Sequence, residues 1–282
     1  MNNTIIVGVK DAQVSSHAVD WAVERAIARR QAVELVAVVG GAVGAVGEDD
    51  IVAEALTAAQ ELLDTHVERV RAAHPSLSIT TRVAAGDPVR VLNEASRDAT
   101  LLVIGSDYRG SSDRPARGAH GVRIVAGAEC PVVVVPALEE RPRSGVVVGV
   151  DGSTSSEHAL RFAAAEAARL GEKLIAVSAW TPLSAPRNSL AVYPEMYLTN
   201  MQAATEEVLA LALAGLTVDY PDLAVERRAV QGYPSHVLNE AAQDARMTVV
   251  GTHGRGALAR FLLGSISQEV LARLATVTAV VR

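Results

Sequence analysis

The chain has 282 residues, which is enough for two domains of ordinary size, each with its own hydrophobic core. Its net charge of −6 argues against a nucleic-acid-binding surface and against an anionic membrane partner. Apolar residues make up 49% of the chain and aromatic residues only 3%, which favours an α/β protein with valine-rich strands. The chain contains no uninterrupted apolar run of ~18 residues and no basic leader, so we expect a cytoplasmic protein without a membrane span.

The first half of the chain alternates short valine-rich and isoleucine-rich runs with longer segments of helical periodicity. This alternation is typical of a parallel sheet with helices on both faces. The segment Gly40 to Gly47 is expected to be a loop, and a long polar helix is expected to contain His66. The apolar runs predict five strands, near residues 4–9, 33–39, 77–83, 100–105 and 131–135.

Residues 136–144 contain two prolines and mixed charges, which predicts a linker between a domain at 1–138 and a domain at 145–282. The second half repeats the plan of the first, and residues 181–194, with three prolines, are expected to form an irregular loop. Its strands are predicted near 146–150, 174–179, 225–230, 247–251 and 277–281. Its helices are predicted near 155–170, 195–214, 234–244 and 265–274.

Matching motifs occur in the same order in both halves, so the chain is one α/β unit written twice. The matches include Ile5 to Lys10 with Val146 to Asp151, His17-Ala18 with His158-Ala159, Leu92 to Ala95 with Leu238 to Ala241, and Leu102 to Gly105 with Thr248 to Gly251.

A glycine-rich loop follows the predicted strand at 247–251, and a Gly-Ser pair then opens a helix. The spacing is Gly251, two residues, Gly254, nine residues, then Gly264 and Ser265. Glycines let a backbone approach phosphate oxygens closely and adopt positive φ, and the free N–H groups of a helix start favour an anion. The loop therefore predicts a site for a nucleotide phosphate chain. The alternative is that these are turn glycines beside surface arginines.

With these motifs, the whole chain resembles the universal stress protein family in its tandem-domain form, whose members with this loop bind ATP. The resemblance implies two Rossmann-like, adenine-nucleotide α-hydrolase-like domains, each with a five-stranded, mostly parallel sheet flanked by helices. It implies that Asp151 lies beside the nucleoside and that Ala179 offers backbone groups to the adenine edge. The phosphate-loop residues that it implies, together with neighbours able to offset phosphate charge, are Gly251, His253, Gly254, Arg255, Arg260, Gly264, Ser265, Ile266 and Ser267.

The chemistry of the loop argues against an efficient enzyme. The chain has no Gly-x-x-x-x-Gly-Lys-Ser/Thr motif, and the nearest acid, Glu269, is expected to be a solvated helix residue. Mg²⁺ held mainly by nucleotide phosphates is compatible with this sequence. No Cys-x-x-Cys or His-Glu-x-x-His spacing indicates a protein metal site, and Cys130, the single cysteine, is expected to be a buried apolar residue.

The first repeat departs from the loop pattern. Tyr108 stands where the second repeat has Gly254, Ala119 where it has Ser265, and Lys10 where it has Asp151, although Asp11 follows directly. A large side chain at a glycine position obstructs close backbone approach, and alanine lacks the hydroxyl donor. We therefore expect one ATP per chain, in the second domain only. The alternative is that the first domain binds nucleotide in an altered pose.

The leading hypothesis is an ATP-binding, nucleotide-responsive regulatory or protective protein with a regulatory protein partner that the sequence does not identify. The alternatives are a slow ATPase or phosphotransferase, and an association scaffold that binds no nucleotide.

The last strand of each repeat, Val132 to Val135 and Val277 to Val281, is short, apolar and terminal. Such strands at a sheet edge invite pairing, within one chain or between two chains of a homodimer.

Overall fold

The structure is a computed structural model that describes residues 3–40, 48–107, 119–137, 141–182, 194–254 and 263–282. The residues group into two compact units, with the main boundary between residues 140 and 141. The expected loops at 40–47 and 181–194 lie almost entirely outside the described residues, as does the centre of the expected linker.

The first unit has the strand order β3-β2-β1-β4-β5, and its paired strands run parallel. Each observed strand begins and ends within two residues of its predicted bounds. The parallel α/β fold predicted from the alternating runs is therefore confirmed. The elements are β1 Thr4–Val9, α1 Ala12–Arg29, β2 Ala32–Val39, α2 Glu48–Ala73, β3 Ile79–Ala85, α3 Pro88–Ala95, β4 Leu101–Ser106, α4 Ala119–Gly127 and β5 Val132–Pro136.

The second unit repeats this order as β8-β7-β6-β9-β10, with β6, β7, β8 and β9 parallel wherever they pair. The short helix α7 was not predicted, because a single turn is too short to show helical periodicity. The elements are β6 Val146–Gly149, α5 Thr154–Leu170, β7 Leu174–Trp180, α6 Glu195–Leu213, α7 Leu216–Asp219, β8 Val225–Gln231, α8 Pro234–Ala242, β9 Met247–Gly251, α9 Ser265–Arg273 and β10 Val277–Val281.

Helix α5 illustrates how the sequence forms and places one covering helix. The Ser153 hydroxyl accepts a hydrogen bond from the N–H of Ser156 at its start, and Gly171 ends it in the left-handed conformation with φ of 65°. Ala159 and Ala163 are fully buried between the helix and the sheet. Their small side chains let α5 lie close to β6 and β9, so the helix start is held beside the carboxyl ends of these strands.

Among the described residues, the helical stretch Glu195–Asp219 is long and apolar enough by length and composition to cross a membrane. The sequence analysis predicted no membrane span because it required an uninterrupted apolar run, and Glu206 and Glu207 interrupt this one. An average over the window tolerates these two charges. The stretch packs on β7 and β8 with Leu209 and Leu213 buried, so it serves as a covering helix of the second unit.

His66 on α2 is buried, although the helix around it is polar. Its Nε2 atom has no hydrogen-bond partner. Burial lowers the pKa of His66 below its usual 6.5, the positive charge of Arg69 lowers it further, and Asp20 acts in the opposite direction. Arg69 and Asp20 form an ion pair at 2.5 Å that joins α2 to α1. The neutral imidazole is therefore the form that suits this position.

Candidate functional site

A cavity of about 410 Å³ opens at the carboxyl ends of β6, β7 and β9 in the second unit. β6 and β9 are neighbours at the centre of this sheet. From β6 the chain continues to β7 on one side, and from β9 it continues to β10 on the other side. Such a switch point is where open α/β sheets bind ligands. The predicted site residues that line the cavity are Asp151, Ala179, Gly251, His253, Gly254, Gly264, Ser265, Ile266 and Ser267.

Asp151 follows β6 and is held by the start of α5. Its Oδ1 atom accepts hydrogen bonds from the Ser153 N–H at 2.9 Å and from the Ser153 hydroxyl at 2.6 Å. The Asp151 N–H donates to the Ser156 hydroxyl oxygen at 3.4 Å. These contacts fix both the backbone and the carboxylate of Asp151 at the wall of the cavity.

The loop glycines provide space rather than unusual backbone angles. Gly251, Gly254 and Gly264 all lack positive φ, so that part of the sequence prediction is wrong. A Cβ atom at Gly251 would lie 2.8 Å from the Cβ of Ser155, and one at Gly254 would lie 2.7 Å from Oδ2 of Asp151. Glycine at 251 therefore lets β9 pack against α5, and glycine at 254 lets the loop pass beside the Asp151 carboxylate.

Helix α9 begins at the cavity. Gly264 precedes the helix with φ of −61° and ψ of 151°, and no side chain caps it. The first-turn residues Ser265, Ile266 and Ser267 line the cavity, and their N–H groups precede the point where intrahelical acceptors begin. The Ser267 hydroxyl donates to the Gly251 carbonyl at 2.6 Å, so it anchors the helix to the end of β9. An anion at this helix start would meet backbone donors.

The backbone of Ala179 faces the cavity. The Val177 carbonyl accepts from the Val150 N–H at 2.8 Å, so Val177 is directed toward the β6 side. Alternate residues of a strand direct their backbone groups to the same side, so Ala179 also faces that side. β6 ends at Gly149, which pairs with Val177. The N–H and C=O of Ala179 therefore lie beyond the last residue of β6.

Sequence reasoning missed the apolar walls of the cavity. Periodicity alone identifies such residues as core, because a cavity wall and a packed core select the same side chains. The repeated motif around Leu238 was a signal, since it recurs in both halves of the chain. The apolar residues that line the cavity and were not predicted are Val150, Val177, Pro234, Leu238 and Val250.

His253 is the described basic side chain of the loop. Its Nε2 atom is buried without a hydrogen-bond partner, and the residue lines the cavity. Arg255 and Arg260, predicted to offset phosphate charge, lie outside the described residues. Glu269 is exposed, and its carboxylate accepts hydrogen bonds from the hydroxyls of Tyr233 and Ser235. Glu269 thus links α9 to α8 and does not line the cavity.

The first unit differs at the corresponding positions. The Lys10 N–H donates to the Ser15 hydroxyl oxygen at 3.0 Å, which matches the contact of Asp151 with Ser156 and establishes the alignment. Asp11 caps α1 by accepting from the Val14 N–H at 2.8 Å, so its carboxylate has a structural contact of its own. Ala119 begins α4 as Ser265 begins α9. Tyr108 lies outside the described residues.

Comparison with known proteins agrees with this duplicated architecture. A family model described as "Universal stress protein family" matches the chain twice, over residues 1–136 and 143–282. The chain belongs to the universal stress protein family. The two matches follow the two repeats, so this family member carries two family domains in tandem.

Two relatives and one solved structure show the extent of the likeness. A universal stress protein of Mycobacterium tuberculosis is 33% identical over 286 residues, covering 95% of this chain and 92% of the relative. A second from the same organism is 32% identical over 292 residues, covering 98% and 95%. The crystal structure of a universal stress protein from Archaeoglobus fulgidus covers 100% of this chain and 98% of its own, with a TM-score of 0.70 and 18% identity. At that identity the structural likeness shows the fold alone.

Proposed function

We propose that the second unit binds ATP and that the protein acts as a nucleotide-responsive regulatory or protective member of its family. The observation that carries this proposal is the cavity that gathers Asp151, Ala179 and the start of α9 at one sheet edge. Its volume of about 410 Å³ lies in the range of sites that bury a small ligand, roughly 300–1,000 Å³.

One end of the cavity suits a nucleoside. Val150, Val177 and Leu238 offer apolar surface to a purine ring. The backbone N–H and C=O of Ala179 can pair with the donor and acceptor at the adenine edge. The Asp151 carboxylate can accept hydrogen bonds from ribose hydroxyls. These three kinds of contact together favour an adenine nucleotide over a simple anion.

The other end of the cavity suits phosphates. The first-turn N–H groups of α9 and the Ser265 hydroxyl are donors, and the helix dipole favours negative charge there. His253 lines the cavity as well, which adds a basic side chain near this helix start. Mg²⁺ would be held mainly by the phosphates themselves, as is usual for this ion.

We also propose that ATP turnover at this site is slow or absent. Among the described residues that line the cavity, Asp151 is the one carboxylate, and the proposal assigns it to the ribose hydroxyls. Residues 255–262 contain no aspartate or glutamate in their sequence. Phosphoryl transfer to water needs a group that orients the attacking oxygen near the γ-phosphate. The site therefore has parts for binding ATP rather than for splitting it.

Analysis of the nucleotide retained by the purified protein tests this proposal against its alternatives. We expect intact ATP to co-purify, and calorimetry to show ATP binding to the stripped protein. Retained ADP with phosphate release on adding ATP and Mg²⁺ would favour the slow ATPase instead. No retained nucleotide and no heat of binding would overturn the proposal and favour a scaffold. The homodimer, the regulatory protein partner and the cytoplasmic location remain proposals alongside it.

A further inference from the structure

Two serine hydroxyls hold groups of the cavity wall in place, one from Ser153 and one from Ser267, which itself lines the cavity. The Ser153 hydroxyl donates to Oδ1 of Asp151 at 2.6 Å and accepts from the Ser156 N–H at 3.2 Å. The Ser267 hydroxyl donates to the Gly251 carbonyl at 2.6 Å, and Ser267 is only 4% exposed. Each hydroxyl therefore uses its single proton on a neighbouring protein group.

The first unit lacks both hydroxyls. The contacts of Lys10 with Ser15 and of Asp151 with Ser156 align Ala12 with Ser153. Gly121 follows the start of α4 by two residues, as Ser267 follows the start of α9. Neither Ala12 nor Gly121 has a side chain that can form the hydrogen bond of its counterpart. The two serines are thus present in the repeat with the intact loop and absent from the repeat with the altered one.

Another serine at the cavity, Ser156, is kept in the first unit as Ser15. Ser15 and Ser156 occupy equivalent positions, and both accept a hydrogen bond from the backbone that follows the first strand. This contact is kept in both units, whatever the state of the loop. Ser153 and Ser267 instead change together with Asp151, Gly254 and Ser265, which line the cavity. Asp11 takes the capping role of Ser153 in α1, so the contact that the first unit lacks is the one that holds the acid of the site.

We propose that Ser153 and Ser267 are positioning residues of the nucleotide site, an inference that rests on the function proposed above. Ser153 holds the Asp151 carboxylate in one rotation at the nucleoside end. Ser267 holds the first turn of α9 against the end of β9, so that its N–H groups keep their direction at the phosphate end. Each serine acts through another group: its hydrogen bond fixes a group that would contact the ligand. A binding group is placed precisely only when its own protein contacts hold it.

The two ends of the ligand allow the two roles to be separated by measuring the affinities of adenosine and ATP. We expect Ser153→Ala to lower the affinities for adenosine and ATP by about three- to tenfold, which corresponds to the loss of one hydrogen bond. Ser153→Thr keeps the hydroxyl and is expected to restore both affinities. We expect Ser267→Ala to weaken ATP by a similar factor and to leave adenosine unchanged.

Ser96→Ala in the first unit is the matched control. Ser96 is also buried, its hydroxyl donates to the Asn93 carbonyl at 2.6 Å, and it accepts from the Glu129 N–H at 2.8 Å. We expect this variant to lower the melting temperature without changing either affinity. Melting temperatures of all variants are measured in parallel, so that loss of fold is recognised.

Three outcomes would overturn the inference. Unchanged affinities in Ser153→Ala and Ser267→Ala, with ATP bound by the unaltered chain, would remove the positioning roles and leave the proposed function intact. If Ser267→Ala lost affinity for adenosine and for ATP equally, and in proportion to the fall in its melting temperature, its role would be merely structural. No binding of ATP by the unaltered chain would overturn the proposed function and this inference with it.

Discussion

Gly254 and Asp151 are far apart in the chain, yet a Cβ atom at Gly254 would lie 2.7 Å from Oδ2 of Asp151. A side chain at position 254 and a carboxylate at position 151 therefore compete for the same space. The first repeat has Tyr108 and Lys10 at these two positions. The loss of the glycine is thus physically linked to the loss of the acid, since a side chain at position 254 would meet the Asp151 carboxylate.

Gly254→Ala is expected to weaken ATP binding about tenfold, because displacing the Asp151 carboxylate removes a hydrogen bond to the ligand worth roughly 1–3 kcal/mol. The added methyl group must displace either the loop or the Asp151 carboxylate. Gly215→Ala is the control, since a Cβ atom there meets nothing within 4 Å. Calorimetric titration of both variants with ATP checks the expectation. Equal ATP affinity in Gly254→Ala and the unaltered chain would show that the loop or the carboxylate can move aside without any loss of binding.

Ser265→Ala and Gly264→Ala are each expected to weaken ATP binding. Loss of a hydroxyl donor to a charged phosphate costs roughly 1–3 kcal/mol. A Cβ atom at Gly264 would lie 3.2 Å from the Thr252 carbonyl oxygen, so the helix start or that carbonyl must move by a few tenths of an ångström. Ser265→Thr keeps the hydroxyl and serves as the control. If Ser265→Ala and Gly264→Ala both bind ATP as tightly as the unaltered chain, the assignment of phosphates to this helix start is wrong.

Asp151→Ala is expected to weaken adenosine as well as ATP, because its contact is proposed to be with the nucleoside. The expected loss is roughly 1–3 kcal/mol for a hydrogen bond to a charged group. Competition binding with adenosine and ATP measures both affinities in one experiment. Asp20→Ala, which removes an exposed carboxylate of the first unit, controls for the change in net charge. A loss restricted to ATP would place the carboxylate near the phosphates instead.

One chain is expected to bind one ATP, in the second unit. The first repeat differs at both ends of the site, through Lys10 at the nucleoside end and Tyr108 and Ala119 at the phosphate end. Native mass spectrometry of the intact chain with ATP and Mg²⁺ counts the bound nucleotides. Two equivalents per chain, one of them retained in Gly264→Ala, would show that the first unit also binds.

The first unit is expected to lose stability in mild acid through His66. Because its pKa is lowered in the folded state, the unfolded chain takes up the proton first as the pH falls through 6.5. The stability is full above that pH and decreases below it, by about 1.4 kcal/mol at most for each unit of pKa lowering. His66→Leu is expected to have a flatter profile between pH 7.5 and 5.5 in urea denaturation. Identical slopes in the two proteins would contradict this, with the exposed His74→Gln as the control.

Much of this protein could be derived from its sequence by itself. The strands of both units were predicted within two residues, because buried parallel strands need continuous apolar runs and helices need a different period. The loop spacing also predicts Gly254 and Ser265 as site residues, and the resemblance to the family adds Asp151. These features depend on local chemistry and on order along the chain, which a sequence states directly.

Only the tertiary structure decided what the loop glycines do and how the site is supported. Positive φ and close approach to phosphate were the two expected reasons for Gly251 and Gly254. Neither residue has positive φ, and the distances to Ser155 and Asp151 show that the missing Cβ atoms make room for other parts of the protein. The hydroxyl contact of Ser267 with a strand carbonyl depends on how α9 packs on β9. Contacts between segments that are distant in the chain set these roles, and no local pattern records them.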